Sequence, residues 1–274
     1  MKTKKLHGGV EIPVIGLGTY KIGNTDEETY RAVRTALDAG YRHIDTATLY
    51  ENERPVGRAI RESGIAREEI FVTTKLWGSD ILSNRIQEAF DGSLSKLGLD
   101  YVDLYLVHWP VKGKLGFTWH AMEQLFHSGK TRSIGVSNHL VHHIEELLRD
   151  ASIMPTVNQM ELHPCLTQKD VVAYCNRKGI VPVSWSPLGR NNIALLENEK
   201  LATIGEKYGK SPAQVILRWN VDKGFVTIPK SSDARRQKEN LAIFDFQLTA
   251  EEISQIDALN RDHRTGFHPD KISF

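Results

Sequence analysis

The chain has 274 residues, of which 40% are hydrophobic and 25% charged, so it carries enough apolar material for a sizeable core. This composition excludes an intrinsically disordered or fibrous protein. The 35 basic and 34 acidic side chains give a formal charge of +1, which argues against nucleic acid or a membrane surface as a partner.

The cysteine content and the N-terminus bear on the cellular compartment. Cys165 and Cys175 form neither a CxxC pair nor a disulfide framework, which is typical of the reducing cytoplasm. The N-terminus meets Gly8, Gly9 and Pro13 instead of an apolar run, so we expect no signal peptide. Every apolar run is too short for a membrane span. We therefore predict a cytoplasmic protein.

Short apolar runs rich in β-branched residues alternate with amphipathic segments of helical length, a pattern typical of a parallel sheet. The runs end at Gly18, Asp45, Lys75, His108, Asn138, Glu161, Ser186 and Lys230. Eight units in about 250 residues match a closed (β/α)8 barrel. The alternative, a doubly wound sheet, needs a reversal of strand order that a sequence cannot show. We predict one α/β domain over residues 1–274, folded as a TIM barrel.

Two elements flank the predicted barrel. At the N-terminus, Lys4–Leu6 and Val10–Val14 flank His7-Gly8-Gly9, which predicts a β-hairpin. After the eighth unit, Thr249 and Glu252 have the spacing of a capping box, which predicts an extra C-terminal helix.

Ionisable residues end three consecutive apolar runs, at Asp45, Lys75 and His108, and Tyr50 lies shortly after the first. In a (β/α)8 barrel the active site lies at the C-terminal ends of the strands, so these residues are the catalytic candidates. A single residue of this kind is more often an interior group satisfied by hydrogen bonds. Ionisable residues at the ends of three consecutive strands favour an active site.

The four residue types suit protonation of an oxygen while another group attacks the adjacent carbon. A tyrosine has an ordinary pKa near 10, so a nearby cation would help it to donate a proton near neutrality. Lys75 can supply that cation, worth on the order of 4 kcal/mol at about 4 Å before desolvation is counted. Asp45 would keep the buried lysine charged, and His108 would orient a carbonyl oxygen beside Tyr50.

The segments that hold these residues resemble the catalytic segments of the aldo-keto reductase family: Asp45-x4-Tyr50, Lys75-Leu-Trp77 and His108-Trp109-Pro110. The likeness covers nearly all of residues 4–274 and continues in chain order through Gly16-Leu-Gly18-Thr19-Tyr20, Gly135-Val-Ser137-Asn138, Asn158-Gln159-Met-Glu161-Leu-His163-Pro164, Trp185-Ser186-Pro187-Leu188 and Ile228-Pro229-Lys230-Ser231. The chain most resembles the compact microbial and protozoan reductases, which include diketogluconate, methylglyoxal and prostaglandin F reductases.

The resemblance implies an NADPH-dependent oxidoreductase that reduces aldehydes and ketones to alcohols, with Tyr50 as the proton donor. NADPH would bind across the barrel mouth without a Rossmann domain, and the chain has no strand-associated GxGxxG. The substrate would be a small carbonyl compound, and the protein would be a monomer. Tyr20, Leu49, Trp77 and Trp109 would form the walls of the substrate pocket together with His108.

The resemblance also implies the residues that bind the cofactor. Trp185 would stack on the nicotinamide, whose carboxamide would bond to Ser137, Asn138 and Gln159. The complete implied set is Gly18, Thr19, Asp45, Ser137, Asn138, Gln159, Trp185, Ser186, Leu188, Lys230, Ser231, Ser232, Arg236, Glu239 and Asn240.

At the far end of the cofactor, Lys230, Ser231 and Arg236 resemble the family's contacts with the adenosine 2′-phosphate. Glu239 and Asn240 fall where the family contacts adenine. These residues follow the eighth strand and open a helix, where backbone N–H groups and basic side chains converge on an anion. The alternative interpretation of the basic run is a solvated helix face.

Other readings of the sequence compete with this one. Lys75 could form a Schiff base in a barrel aldolase, although a partner carboxylate at Asp45 would keep it protonated. His139 and His143 have the spacing of a zinc pair but lack the HExxH glutamate, so we expect no metal. After Gly189, Arg190-Asn191-Asn192 replaces the Gln/Gly-rich turn of many relatives. The resemblance therefore does not predict the conformation of the loop over the cofactor pyrophosphate. Some relatives are potassium-channel β subunits, but no added interaction segment is recognisable here.

Overall fold

A computed structural model describes residues 1–191 and 194–274. The predicted N-terminal hairpin is present: β1 (Thr3–Lys5) pairs antiparallel with β2 (Glu11–Pro13). Its side chains Leu6 and Ile12 pack against the inward-facing first residues of several barrel strands, such as Phe71. The hairpin therefore covers the N-terminal end of the barrel, which leaves the opposite end for a site.

Eight parallel strands form the main sheet and hydrogen-bond in chain order. They are β3 (Leu17–Gly18), β4 (His43–Asp45), β5 (Phe71–Leu76), β6 (Leu104–Val107), β7 (Ile134–Ser137), β8 (Val157–Glu161), β9 (Val181–Trp185) and β10 (Val226–Thr227). A parallel bridge between Ile15 and Thr227 joins the first strand to the last. This bridge closes the sheet, so the prediction of a (β/α)8 barrel is confirmed and the doubly wound alternative is excluded.

The predicted strand ends agree with the structure to within one residue, except at the last strand. There the sequence predicts an end at Lys230, whereas β10 ends at Thr227. Pro229 lies between them and has no N–H to donate to a ladder, which ends the strand early. The Pro229 carbonyl still accepts from Gly18 N at 3.1 Å, so Lys230 remains at the barrel rim.

The described residues form eleven α-helices, which pack around the outside of the sheet. They are α1 (Asp26–Asp38), α2 (Glu53–Arg61), α3 (Gly78–Leu82), α4 (Ile86–Leu97), α5 (Leu115–His127), α6 (Val141–Leu147), α7 (Lys169–Lys178), α8 (Glu199–Tyr208), α9 (Pro212–Asp222), α10 (Ala234–Leu241) and α11 (Ala250–Asp257). The extra C-terminal helix predicted from Thr249 and Glu252 is α11, and its capping box is formed.

Strand β5 shows how the sequence places side chains on the two sides of the sheet. Successive residues of a strand point to opposite faces. Val72 and Leu76 pack outward in the core beneath the helices, whereas Phe71 packs inside the barrel. Lys75 therefore points into the barrel, one residue before the strand ends at its C-terminal rim.

Candidate active site

Lys75 is the centre of a hydrogen-bonded group inside the barrel, and it has no exposed surface. Its ammonium donates to Asp45 Oδ1 at 2.5 Å, to the Thr46 carbonyl at 2.8 Å and to Tyr50 Oη at 3.3 Å. Asp45 is the last residue of β4, and Tyr50 ends a short 3₁₀ helix that follows it, Thr48–Tyr50. Neighbouring strands and one short loop thus bring three of the predicted catalytic residues into direct contact.

The charge of Lys75 is stabilised although the side chain is buried. Burial opposes the ammonium, but Asp45 and then Tyr50 compensate, and the pKa of Lys75 lies above its ordinary value of 10.5. The second oxygen of Asp45 accepts from Gln159 Nε2 at 2.7 Å, so the carboxylate is held on both sides. A lysine that stays protonated is a poor nucleophile, which argues against the Schiff-base chemistry of an aldolase.

The phenol of Tyr50 is less acidic than the sequence argument suggests. Burial raises the pKa of Tyr50 above 10.0; Lys75 lowers it and Asp45 raises it, and the net shift is upward. The sequence argument left desolvation uncounted, and desolvation outweighs the cation. The phenol consequently remains protonated at neutral pH and holds the proton that a donor must deliver.

His108 completes the predicted catalytic tetrad, which consists of Asp45, Tyr50, Lys75 and His108. Its ring lies 5.7 Å from the ring of Tyr50 and 5.2 Å from that of Trp77, edge-on to both. Burial and the Lys75 cation lower the pKa of His108 well below its ordinary value of 6.5, so the imidazole is neutral near pH 7. A neutral imidazole can donate one hydrogen bond to a carbonyl oxygen beside Tyr50.

The amide and hydroxyl side chains beside the tetrad bond to one another, to Trp185 and to neighbouring backbone carbonyls. Ser137 Oγ donates to the Gln159 carbonyl at 2.9 Å, and Trp185 Nε1 donates to Asn138 Oδ1 at 2.8 Å. Asn138 Nδ2 donates to both the His108 carbonyl and Ser137 Oγ, each at 3.0 Å. The network fixes the orientation of Trp185 at the rim and leaves the second lone pairs of the amide oxygens to accept from a ligand.

The predicted phosphate end lies at the N-terminus of α10. Asp233 caps the helix by accepting from Arg236 N at 2.8 Å. Lys230 and Arg236 are exposed, and neither forms an ion pair within residues 1–191 and 194–274. Arg235, by contrast, bonds to Glu239 at 2.9 Å. Two unpaired cations at the start of a helix form a favourable anion site.

One cavity of about 950 Å³ joins the two ends of the site across the C-terminal mouth of the barrel. Every residue that the sequence assigned to the site lines this cavity except Lys75, which lies beneath it. The predicted residues that line it are Gly18, Thr19, Tyr20, Asp45, Leu49, Tyr50, Trp77, His108, Trp109, Ser137, Asn138, Gln159, Trp185, Ser186, Leu188, Lys230, Ser231, Ser232, Arg236, Glu239 and Asn240.

Several lining residues were not predicted, and those nearest the C-terminus lie far along the chain from the motifs. They include Lys21, Arg190, Leu196, Ala213, Gly266, Phe267 and Ile272. The last three belong to the residues after α11, where the sequence offers no strand-end motif. These three residues could not be predicted from the sequence, because they lie far from the barrel strands along the chain. No periodicity marks a segment that folds back over the rim.

Arg190 belongs to the loop that departs from the family pattern. Its guanidinium carbon lies 4.8 Å from the centre of the Trp185 ring and 5.7 Å from that of Tyr20. Its Nε donates to Ser186 Oγ at 3.0 Å. A cation therefore covers the aromatic face at the cavity rim. Asn192, the last residue of the departure, lies outside the described residues.

The two histidines considered as a zinc pair are arranged differently. His139 Nδ1 bonds to the Ser137 carbonyl at 2.8 Å, inside the protein. His142 and His143 instead bring their Nε2 atoms to Asp270 Oδ1, at 3.0 Å and 3.1 Å. His143 Nδ1 accepts from Leu140 N, so Nε2 carries the proton and donates to Asp270. His142, His143 and Asp270 thus form a hydrogen-bonded cluster. The expectation that the protein binds no metal stays a prediction.

A closed barrel with a tyrosine, a lysine and a carboxylate beneath a long cavity is the arrangement of a carbonyl-reducing oxidoreductase. A model of the aldo/keto reductase family matches residues 14–261. The glyoxal reductase of Bacillus subtilis (strain 168) is 53% identical over 272 residues, which cover 99% of this chain and 98% of that protein.

Two further comparisons agree. The 9,11-endoperoxide prostaglandin H2 reductase of Trypanosoma cruzi (strain CL Brener) is 50% identical over 268 residues, which cover 97% of this chain and 94% of that protein. The crystal structure of a Bombyx mori aldo-keto reductase in complex with NADP has a TM-score of 0.92 at 38% identity, covering 98% of this chain and 96% of that chain.

The chain belongs to the aldo/keto reductase family. It is an oxidoreductase that acts on small carbonyl compounds with a nicotinamide cofactor. The resemblance to the compact reductases is confirmed. Among the described helices, none combines the length and the apolar character needed to cross a membrane.

Proposed function

We propose that the protein is an NADPH-dependent aldehyde reductase in which Tyr50 donates the proton to the carbonyl oxygen. The observation that carries this proposal is the contact of one buried ammonium, Lys75 Nζ, with both Asp45 and Tyr50 beneath the cavity. Because the phenol is protonated at neutral pH, it can deliver a proton when negative charge develops on the oxygen. Lys75 then stabilises the phenolate that remains, until Tyr50 regains a proton from solvent.

The residues of the cavity fit a nicotinamide dinucleotide phosphate. The half-buried ring of Trp185 offers a flat apolar surface within hydrogen-bonding reach of Asn138, which suits a stacked ring with a carboxamide. Lys230 and Arg236 suit the 2′-phosphate that distinguishes NADPH from NADH. When bound, the cofactor supplies the hydride that reduces the carbonyl carbon.

Small aldehydes, including α-dicarbonyl compounds, are the proposed substrates. Support comes from the 53% identity to a protein named glyoxal reductase. The walls fit this class: Trp77 and Trp109 present aromatic surface beside His108 and Tyr50, where the carbonyl would bind. His108 would hold the carbonyl oxygen, since its imidazole is neutral and can donate.

The proposed setting is a cytoplasmic monomer whose whole chain forms one domain. Both cysteines are buried and free, which is consistent with a reducing compartment. Light scattering of the purified protein tests the monomer: a mass near 30.9 kDa is expected, and twice that mass contradicts it.

Replacement of the proton donor tests the proposed function. Tyr50→Phe should lower kcat for methylglyoxal reduction at least 100-fold, because the lost group acts in the transition state, while NADPH binds with nearly unchanged affinity. Tyr20→Phe is the matched control, since Tyr20 lines the same cavity with its ring 5.0 Å from that of Tyr50. This control should stay within about threefold of the wild type.

The measurements are the oxidation of NADPH at 340 nm and the quenching of tryptophan fluorescence by the cofactor. If Tyr50→Phe keeps activity within threefold of the wild type, the assignment of the proton donor is wrong. If the wild type oxidises NADPH with no aldehyde, ketone or dicarbonyl, the proposed activity is wrong.

A further inference from the structure

Glu161 is a buried carboxylate at the C-terminal end of β8 that the proposed chemistry does not use. Its side chain has no exposed surface. The carboxylate accepts from Thr265 N at 2.7 Å, from Gly266 N at 3.1 Å and from the Thr265 hydroxyl. His163 Nε2 lies 3.1 Å from Oε1, the oxygen that also accepts from Thr265. A strand end of the barrel is therefore bonded to the chain about a hundred residues later.

The carboxylate keeps its charge in this environment. Burial opposes the charge, but the bonds from His163, Thr265 and Gly266 lower the pKa of Glu161 to about 2. Hydrogen bonds to a buried charged acceptor are stronger than those between neutral groups. The hydrogen bonds that anchor Thr265 and Gly266 to Glu161 are consequently strong over the whole range of physiological pH.

The residues held by Glu161 belong to the C-terminal segment, residues 263–274. At one side Gly266 packs so closely on Trp185 that a Cβ there would lie 2.6 Å from the indole. At the other side the ring of Phe274 lies 5.2 Å from that of Trp77. Because Trp185 and Trp77 both line the cavity, the C-terminal segment spans its mouth between them.

Two apolar side chains of the C-terminal segment, Phe267 and Ile272, line the cavity between these contacts. Phe267 is 72% exposed, so most of its ring surface is available to a ligand in the cavity. A substrate with an aromatic or aliphatic body can cover this surface, whereas a three-carbon dicarbonyl has little apolar surface with which to contact it. The position of the segment therefore matters for bulky substrates.

From this geometry we infer that Glu161 is a positioning residue, which fixes the C-terminal segment so that Phe267 forms a wall for bulky carbonyl substrates. The kinetic part of this inference rests on the proposed function. The segment has other contacts: Asp270 bonds to His142 and His143, Arg264 donates to Gln168 Oε1 at 2.8 Å, and His263 N donates to the Cys165 carbonyl at 3.0 Å. The Asp270 group is partly exposed and is weakened by solvent. Glu161, by contrast, is a fully buried carboxylate that accepts three hydrogen bonds from the segment.

The experiment compares Glu161→Gln, Phe267→Ala and the double variant, with methylglyoxal and a substituted benzaldehyde as substrates. Glu161→Gln keeps the size and shape of the side chain but removes its charge. It also places an amide N–H2, which cannot accept, against the backbone N–H donors of Thr265 and Gly266. We expect KM for the benzaldehyde to rise about tenfold in each single variant, equivalent to about 1.4 kcal/mol. Both kinetic constants for methylglyoxal should stay within threefold. The double variant should show the same tenfold loss, since both changes remove one wall.

Glu252→Gln is the control for a purely structural effect. Glu252 is also a buried carboxylate that accepts from backbone and side-chain donors, at Thr249 N and Tyr208 Oη, but it lies on α11 away from the cavity. This variant should lower the melting temperature without changing KM for the benzaldehyde relative to KM for methylglyoxal. If Glu161→Gln behaves in the same way, or if the two losses multiply to about 100-fold, the inference is overturned.

Hydrogen exchange of the Thr265 and Gly266 amides tests the anchor without any substrate. Their exchange should accelerate at least tenfold in Glu161→Gln and stay unchanged in Glu252→Gln. Unchanged exchange in Glu161→Gln overturns the positioning role. A wild type that reduces neither aldehyde contradicts the proposed function instead, and the exchange measurement still decides whether Glu161 holds the segment.

Discussion

A lysine without exposed surface keeps its charge only when its partners replace the lost water. Lys75 has three such partners, and two of them, Asp45 and Tyr50, are ionisable. The same contacts that stabilise the ammonium hold the phenol in place. The structural role and the proposed catalytic role therefore fall on one side chain, and variants of Lys75 should separate the two.

Lys75→Met should abolish most carbonyl reduction, with a loss of kcat of at least about 100-fold, because the phenolate loses its stabilising cation. It should also lower the free energy of unfolding by about 3–5 kcal/mol, since Asp45 is left buried and unpaired. The double variant Lys75→Met/Asp45→Asn should recover stability in urea denaturation but not activity. Activity recovered together with stability would mean that Lys75 is only structural.

The Glu161 carboxylate predicts a pH dependence with a definite sign. Its pKa is about 2 in the folded protein against an ordinary 4.5, so the folded state favours the charged form. The resulting stability is complete above about pH 4.5 and is lost as the pH falls toward 2. The difference in unfolding free energy between the wild type and Glu161→Gln should be constant from pH 7 to 5 and smaller at pH 3. A difference that grows on acidification would contradict the sign.

Among the elements, α10 has a basic composition that the sequence alone leaves ambiguous between a phosphate site and a solvated face. The structure separates its cations: Arg236 lines the cavity, Arg235 is bonded to Glu239, and Lys238 is not among the residues that line the cavity. This difference supplies an internal control for the coenzyme preference.

Arg236→Ala should raise KM for NADPH by about 10–100-fold, because a charged hydrogen bond to phosphate is worth about 1.5–3 kcal/mol. KM for NADH, which lacks that phosphate, should change less than about threefold. Lys238→Ala should affect neither coenzyme. Equal losses for the two coenzymes in Arg236→Ala would mean that the basic run is a solvated face after all.

Helices α2 and α4 meet at a glycine that admits no side chain. A Cβ at Gly57 would lie 1.9 Å from the Leu97 carbonyl oxygen, whereas a Cβ at Gly92 on α4 meets nothing within 4 Å. Gly57→Ala should therefore destabilise the protein by about 1–3 kcal/mol or more, through overpacking. Gly92→Ala should stabilise it by about 0.5–1 kcal/mol, through helix propensity. Urea denaturation of both variants tests the contact, and equal effects would contradict it.

For the molecule as a whole, closure of the barrel brings every strand end to one rim and makes one continuous cavity. The loop after β6 is short, since α5 begins at Leu115, and it offers little surface for a substrate. The C-terminal segment supplies a wall on the side between Trp77 and Trp185. A mouth with a wall on one side should discriminate weakly among substrates that differ away from the carbonyl.

We therefore expect kcat/KM to vary by less than about four orders of magnitude across small, aliphatic and aromatic aldehydes, since each absent methylene contact forfeits about 1–3 kcal/mol. Unactivated ketones should be poorer substrates than aldehydes. The measurement is NADPH oxidation over a carbonyl panel that includes methylglyoxal, aromatic aldehydes, diketogluconate and a prostaglandin endoperoxide. One compound preferred by more than four orders of magnitude would show that the mouth is closed more fully.

Features that depend on local spacing were predictable from the sequence. The alternation of apolar runs and helices predicts eight βα units, and the period of two along β5 turns Lys75 into the barrel. The capping box at Thr249 predicts α11 because its two residues are neighbours on the chain. The site residues follow from the strand ends, and their roles stay predictions until the variants are measured.

Features that depend on distant parts of the chain were decided by the tertiary structure. The upward shift of the Tyr50 pKa arises from desolvation, which depends on everything packed around the phenol. Asp270 meets His142 and Glu161 meets Gly266 only because the C-terminal segment folds back over the rim. Such contacts join residues more than a hundred positions apart, and their geometry depends on the closure and curvature of the whole barrel, which no local pattern encodes.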